Sequence, residues 1–338
     1  MDRKAELNLA LSAPTGSLVE ALGRLPGDVV VLGAGGKMGP SLVSLLCRAN
    51  AEAGSGRRVT AVARWTDPTA RAALESTGAA LISADLFEPG AVARLPDAPN
   101  VIFMVGQKFG TGHDAARTWA VNAYLPGLIA ARYPGSRIAV FSTGNVYPFW
   151  PTTSAGPTET DPTEPVGEYG QSALGRERVF AFFSERNQTP VAVLRINYAI
   201  EPRYGVLRDI ADRVRAGVPV DLQMGHVNVI WQRDANAIAI QALAHAGSPP
   251  FVVNVTGRPA VSVRGIAEAF GRRWQIDPLF TGTEQPTALL SNAAKSERLF
   301  GPAPTSLDQM IDSVANWIET GGRSLTKPTH FGEREGRF

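Results

Sequence analysis

From residue 28 onward, short uninterrupted apolar runs alternate with stretches whose apolar positions fall three and four apart. Runs of the first kind predict strands buried on both faces, and stretches of the second kind predict helices that cover them. The alternation therefore predicts an α/β fold with a doubly wound parallel sheet. The clearest unit starts at Asp28: VVVLGAGG reads as a strand ending in glycines, and the stretch after it places Leu42, Leu45 and Leu46 on one helical stripe. Further strands are expected at 58–64, 79–85, 100–106, 136–143 and 190–197. Between Pro148 and Glu168 the prolines, threonines and glycines forbid regular structure and predict an exposed functional loop. Beyond residue 198 the rhythm loosens into a smaller, partly helical region, and no internal repeat is found.

Composition narrows the chemistry. With 44% hydrophobic and 19% charged residues and a net charge of +2 in 338 residues, disorder and fibrous classes are excluded. No charge run marks a nucleic-acid or membrane-surface partner. The N-terminal MDRKAELNLALSAPTGS lacks an apolar core, and no segment nears the apolar length of a membrane span, so a cytoplasmic protein is expected. Cys47 is the single cysteine, and the histidines at 113, 226, 245 and 330 show no metal-ligand spacing, so no metal is expected.

A dinucleotide pyrophosphate needs a tight turn after the first strand, a close backbone approach and a helix N-terminus facing the anion. Gly33, Gly36 and Gly39 supply a G-x-x-G-x-x-G loop directly between strand and helix, with Lys37 and Met38 inside it. The commoner G-x-G-x-x-G spacing would need a glycine where Met38 stands. At the end of the second strand, where NAD-binding folds place a carboxylate, the chain reads Ala63, Arg64, Trp65. A cation there suits the extra phosphate of NADP, so the expectation leans to NADP over NAD. Asp85, closing the third strand, is expected at the adenine edge.

The glycine loop, STGNVYP at 142–148 and EYGQS at 168–172 together resemble the extended short-chain dehydrogenase/reductase family, the NAD-dependent epimerase/dehydratase group. VNAYLPGLIAA at 121–131 is similar to the family's Asn-bearing helix, LRINYAIEPRYG at 194–205 to its segment after the sixth strand, and the stretch from Ser291 to Glu319 to its closing segment. The resemblance implies a Rossmann-type domain over 28–197 after an N-terminal helical extension at 1–27. It implies a mainly substrate-binding region over 198–320, part of which returns to the first domain. A loose polar tail is expected at 321–338. Cofactor contacts would come from the glycine loop, Arg64, Asp85, Leu86, Val105, Gly106, Lys108, Asn122 and Tyr169. The resemblance also implies a homodimer through surface helices.

Family catalysis maps a substrate-polarising hydroxyl onto Thr143, with Ser142 as its understudy, and a proton-moving phenol onto Tyr169. The family writes Tyr-x-x-x-Lys, but here the fourth position after Tyr169 is Ala173. A phenol with an ordinary pKa near 10 must be lowered by roughly 3 pH units, about 4 kcal/mol, to ionise substantially at neutral pH. Two cations offer themselves: Arg176, on the helical face shared by 169 and 173, and Lys108, just after the fourth strand.

Substrate contacts are expected from Ser142, Thr143, Asn145, Asn197, Arg203 and Trp231, with Tyr204, Gln232 and Arg233 nearby. Aligning VIWQRDAN at 229–236 on the nucleotide-sugar pattern of the family puts Val227 at its arginine and Trp231 at its histidine, which weakens a nucleotide-sugar assignment. Arg203, Arg208 and Arg213 are alternative phosphate ligands, Phe149, Trp150 and Trp231 are candidates for stacking, and His226 for a second proton donor. The leading expectation is an NAD(P)-dependent oxidoreductase, epimerase or dehydratase acting on a sugar-like hydroxyl or ketone. The alternative is a redox-silent dinucleotide sensor that has lost the lysine.

Overall fold

The computed structural model describes residues 3–111, 113–325 and 329–337. Seven strands form one sheet: β1 (Val29–Leu32), β2 (Val59–Ala63), β3 (Ala80–Ser83), β4 (Asn100–Phe103), β5 (Arg137–Thr143), β6 (Val191–Ile196) and β7 (Phe251–Val255). Their order is β7-β6-β5-β4-β1-β2-β3, and the ladders joining β3, β2, β1, β4 and β5 are all parallel. Every residue of β1 and β4 is buried, which is why these strands read as unbroken apolar runs. The six expected strands are present, while β7 fell in the region whose rhythm had looked irregular. Helices connect the strands: α1 (Arg3–Ala10), α2 (Gly16–Arg24), α3 (Gly39–Glu52), α4 (Pro68–Glu75), α5 (Ala115–Trp119), α6 (Leu125–Arg132) and α7 (Gly167–Asn187). The chain reverses its winding between β1 and β4, so the carboxyl ends of these two strands border the crevice where open α/β sheets take ligands.

The chain divides into two compact units whose boundaries differ from the expected ones. The first holds residues 1–142, 171–195 and 236–253. It includes the N-terminal extension, which forms α1 and α2: Leu11, Leu18 and Leu22 are buried, and the Arg57 guanidinium donates to the Leu22 carbonyl at 2.6 Å, capping α2. The second holds residues 143–170, 196–235 and 254–338, so the proline-rich loop belongs to it. Three helices, Val206–Arg215, Val263–Trp274 and Leu307–Glu319, pack together there beside short two-stranded ladders. The C-terminal segment, expected to be loose, is built into this unit: Phe331 is buried and Thr329 donates twice to Asp209. Among the described residues no helix is long and apolar enough to cross a membrane.

Candidate functional site

In the first unit the glycine loop has the shape its spacing predicts. Gly33 leaves β1 at φ +89°, and a Cβ there would lie 2.8 Å from the Val105 backbone nitrogen, so the turns after β1 and β4 touch main chain to main chain. Gly39 opens α3 where a Cβ would sit 2.2 Å from the Ala34 carbonyl oxygen, so only glycine lets the helix begin this close to the strand. Met38, at the N-cap, gives no side-chain hydrogen bond to the start of α3, while the Gly39 amide donates to the Gly36 carbonyl at 3.1 Å and Pro40 carries no amide hydrogen. A tight turn, a close approach and an uncapped helix start are what a dinucleotide pyrophosphate requires, so these residues fit one.

Around this loop the expected contacts divide. Asp85 stands just past β3 and accepts from the Phe87 amide at 3.0 Å. The Arg64 guanidinium lies 3.8 Å from the Asp85 carboxylate, so the cation read as a phosphate ligand already shares its charge. Leu86 is buried in the core. Trp65, assigned no role among the expected contacts, adopts φ +51°, donates from its indole to the Ile82 carbonyl at 2.9 Å and packs toward Gly35. Its only sequence signal was an aromatic residue after the second strand.

Arg176 on α7 is 6% exposed and donates to the Phe141 carbonyl at 2.6 Å and to Asn122 Oδ1 at 2.7 Å. Its Nη2 lies 2.8 Å from where a Cβ on Gly106 would stand, so the guanidinium fills the space beside the turn after β4. Asn122 is presented by a π-helical turn, Ala120–Tyr124, between α5 and α6. Its side chain accepts from the Gln107 amide at 2.9 Å, donates to the Gln107 carbonyl at 2.8 Å and donates to Ser172 Oγ at 3.0 Å. Arg176, Asn122 and Gly106 are thus brought together, with Ala173 buried on the same helix. Lys108, the other candidate, holds its ammonium 5.8 Å from the Phe109 ring centroid.

Ser142 is drawn away from the hydroxyl role. It donates to Glu177 Oε1 at 2.5 Å, and Glu177 is ion-paired with Arg195 at 2.8 Å, all three being buried. This network ties β5, α7 and β6 together and serves the fold.

In the second unit, Thr143 accepts from the Asn145 amide at 3.2 Å and donates to Asn145 Oδ1 at 3.0 Å, which leaves its oxygen able to accept one further hydrogen bond. A Cβ on Gly170 would lie 2.6 Å from the Asn145 carbonyl oxygen, so the start of α7 with the half-buried Tyr169 rests on this turn. Asn197 packs on Gly144 and donates to the Leu289 carbonyl at 3.3 Å. Burial, the Asp209 carboxylate and the Tyr169 phenol together hold the Tyr204 phenol well above its ordinary value.

Several substrate expectations are corrected here. Arg203 is paired with the fully buried Glu201 at 2.9 Å, and Arg208 with Asp212 at 2.7 Å. Arg213 donates to the Pro219 carbonyl at 3.0 Å. All three were candidate phosphate ligands, and each serves the fold. Trp231 is 5% exposed and sits in a short strand paired with Ala199–Ile200, so it is core and not a stacking surface. The Phe149 ring is covered by the Arg334 guanidinium at 4.2 Å.

Comparison with known proteins accords with this geometry. Among solved structures, MoeE5 in complex with UDP-glucose and NAD has a TM-score of 0.69 at 21% identity over 87% of this chain and 99% of its own. Pal from Bacillus thuringiensis has a TM-score of 0.74 at 17% identity over the same shares. The WbmG enzyme of Bordetella bronchiseptica, in complex with NAD, has a TM-score of 0.73 at 19% identity over 90% of this chain and 98% of its own. At such identities these likenesses show the fold. No curated protein matches the chain. The model of the NAD dependent epimerase/dehydratase family matches residues 29–228, more than half of the chain, and the chain belongs to that family.

Proposed function

We propose that the protein is an NAD-dependent oxidoreductase, epimerase or dehydratase that works on a sugar-like hydroxyl or ketone, with Arg176 in place of the family's lysine. The observation that carries this reading is the buried Arg176 guanidinium beside Gly106 and Asn122, because it keeps a positive charge at the turn after β4 despite Ala173. The alternative, a redox-silent dinucleotide sensor, has Ala173 as its main support and is separated from this reading by whether bound nicotinamide turns over with substrate.

NAD, when bound, supplies the hydride acceptor or donor. The chain's residues do the rest. Gly33, Gly36 and Gly39 let the backbone approach the pyrophosphate, which would meet the positive end of the α3 dipole. Gly106 and Val105 border the crevice, and the five fixed N–H donors of Arg176 suit a ribose hydroxyl. Thr143 Oγ1, donating to Asn145, accepts a hydrogen bond from a substrate hydroxyl and orients it. Tyr169 gives or takes the proton at the reacting oxygen. NAD is favoured over NADP because Asp85 shares the charge of Arg64, and NADPH binding more tightly than NADH would reverse that choice.

The assembly proposed is a cytoplasmic homodimer. Its support is an apolar surface on α7 and the helices before it, where Trp119, Tyr124 and Phe182 are 38%, 62% and 56% exposed. The mechanism is tested by following nicotinamide absorbance with a panel of sugars and sugar acids. Tyr169→Phe is expected to lower turnover by roughly 10²- to 10⁴-fold, and unchanged turnover would remove Tyr169 from the mechanism.

A further inference from the structure

Asn236 lies beyond the residues matched by the family model, yet its side chain reaches the glycine loop. It sits on the helix Gln232–Gln241, whose residues from Asn236 onward belong to the first unit together with that loop. The side chain is 0% exposed and its amide nitrogen donates to Ser41 Oγ at 2.9 Å, across 195 residues of chain. Ser41, in the first turn of α3, donates in turn to the Met38 carbonyl at 3.0 Å. The same carbonyl accepts from the Leu42 amide at 3.0 Å, one of the bonds that open the helix.

The Met38 carbonyl and the Gly39 amide belong to one planar peptide group, so a bond that fixes the oxygen also fixes the direction of the N–H. The Gly39 amide donates to the Gly36 carbonyl at 3.1 Å, and the Gly36 amide donates to the Gly33 carbonyl at 3.1 Å. A line of hydrogen bonds therefore runs from Asn236 through Ser41 and the Met38–Gly39 peptide to all three glycines of the loop.

The other atom of the Asn236 amide argues against a packing role. Its Oδ1 is buried with no hydrogen-bond partner among the described residues, which destabilises a fold. Around it on the helix Ala235, Ala237, Ile238, Ala239 and Ile240 are all buried, so packing alone would favour an apolar side chain at 236 as well. What the amide contributes is the bond to Ser41. With one lone pair of Ser41 Oγ occupied by the Asn236 N–H, the serine proton is directed at Met38.

We propose that Asn236 is a positioning residue of the cofactor loop, acting through Ser41 to hold the Met38–Gly39 peptide in the plane that the dinucleotide pyrophosphate meets. This rests on the reading that the glycine loop holds a dinucleotide. Asn236 touches no ligand in this role, and its effect is on binding.

The test compares the full native chain with Asn236→Ala, Ser41→Ala and the double variant. NADH is titrated by fluorescence and ADP, which keeps the pyrophosphate and lacks the nicotinamide, by calorimetry, and each protein is melted in parallel. Each single variant is expected to bind both probes about fivefold more weakly, the worth of one neutral hydrogen bond. Its melting temperature should stay within about 4 °C of the native value. The double variant should lose no more than Ser41→Ala alone, because Asn236 acts through that hydroxyl. Single variants that bind NADH within about twofold of the native chain overturn the proposal, whatever their melting temperatures. So do losses that multiply in the double variant, and so does a loss seen with NADH but not with ADP. A native chain that takes up neither probe sinks the functional reading and the positioning role together, whereas native binding beside unaffected variants sinks the positioning role alone.

Discussion

Replacing Arg176 with methionine isolates what the buried guanidinium does. Methionine keeps an unbranched apolar stem and removes the bonds to the Phe141 carbonyl at 2.6 Å and to Asn122 Oδ1 at 2.7 Å. Asn122 Oδ1 still accepts from the Gln107 amide at 2.9 Å, so the Phe141 carbonyl is the close acceptor that loses a charged donor, beside the longer contact of 3.4 Å to the Asn122 carbonyl. A bond of that kind is worth about 1.5–3 kcal/mol, and exchanging a buried ion for an apolar group returns part of it. The expected loss of stability is about 1–2 kcal/mol, which leaves an ordinary domain folded. If the same guanidinium also holds the cofactor ribose, one charge-assisted contact disappears from the bound state, and NADH affinity falls by roughly 10- to 150-fold. Fluorescence titration with NADH measures the affinity, and urea unfolding of the same protein measures the stability. Ala173→Lys in the Arg176→Met background puts an ammonium into the vacated space from a buried position on the same helix, and part of the affinity should return. A folded Arg176→Met chain that binds NADH within about twofold of the native protein would refute the assignment.

Two further outcomes follow from the geometry. Gly36→Ala places a Cβ 3.3 Å from the Gly33 carbonyl oxygen, which a slight shift absorbs, whereas Gly39→Ala places one 2.2 Å from the Ala34 carbonyl oxygen. The first variant should lose NADH affinity with little change in melting temperature, and the second should lose both, by about 1–3 kcal/mol in stability. Hydrogen bonds from Arg273 and Trp274 lower the Glu319 carboxyl from 4.5 to about 2. A lowered carboxyl stabilises the fold above its unfolded value and ceases to as pH falls through its folded one, so the contribution is present above about pH 4.5 and lost toward pH 2. Glu319→Gln should cost at most about 1 kcal/mol at pH 7, since the pair faces solvent, with the difference from the native chain vanishing in melts near pH 2.

What could be read in the one-dimensional chain follows from local causes. Apolar runs declare buried parallel strands, and glycines at 33, 36 and 39 declare a turn against a helix start, because in each case the residue types alone limit the backbone. The same holds for Thr143 and Tyr169, whose spacing placed them at the end of β5 and the start of α7. Charges were legible as charges but not as partners. Arg203 meets Glu201 across a tight turn, Arg64 meets Asp85 across neighbouring strands, and Ser142 meets Glu177 between a strand and a helix 35 residues on. Strand β7 was missed because its apolar run was short and flanked by prolines and glycines.

The sequence by itself determined six of the sheet's seven strands, the glycine loop and the loss of the lysine at 173, since each depends on residues adjacent along the chain. Only the tertiary structure decided that Arg176 turns back to Asn122 and Gly106, that three arginines serve the fold, and that the C-terminal residues are anchored in the second unit instead of hanging free. The physical reason is that a long side chain or a polar tail takes its place from whichever donors, acceptors and apolar walls folding brings within reach, and separation along the chain does not encode that distance.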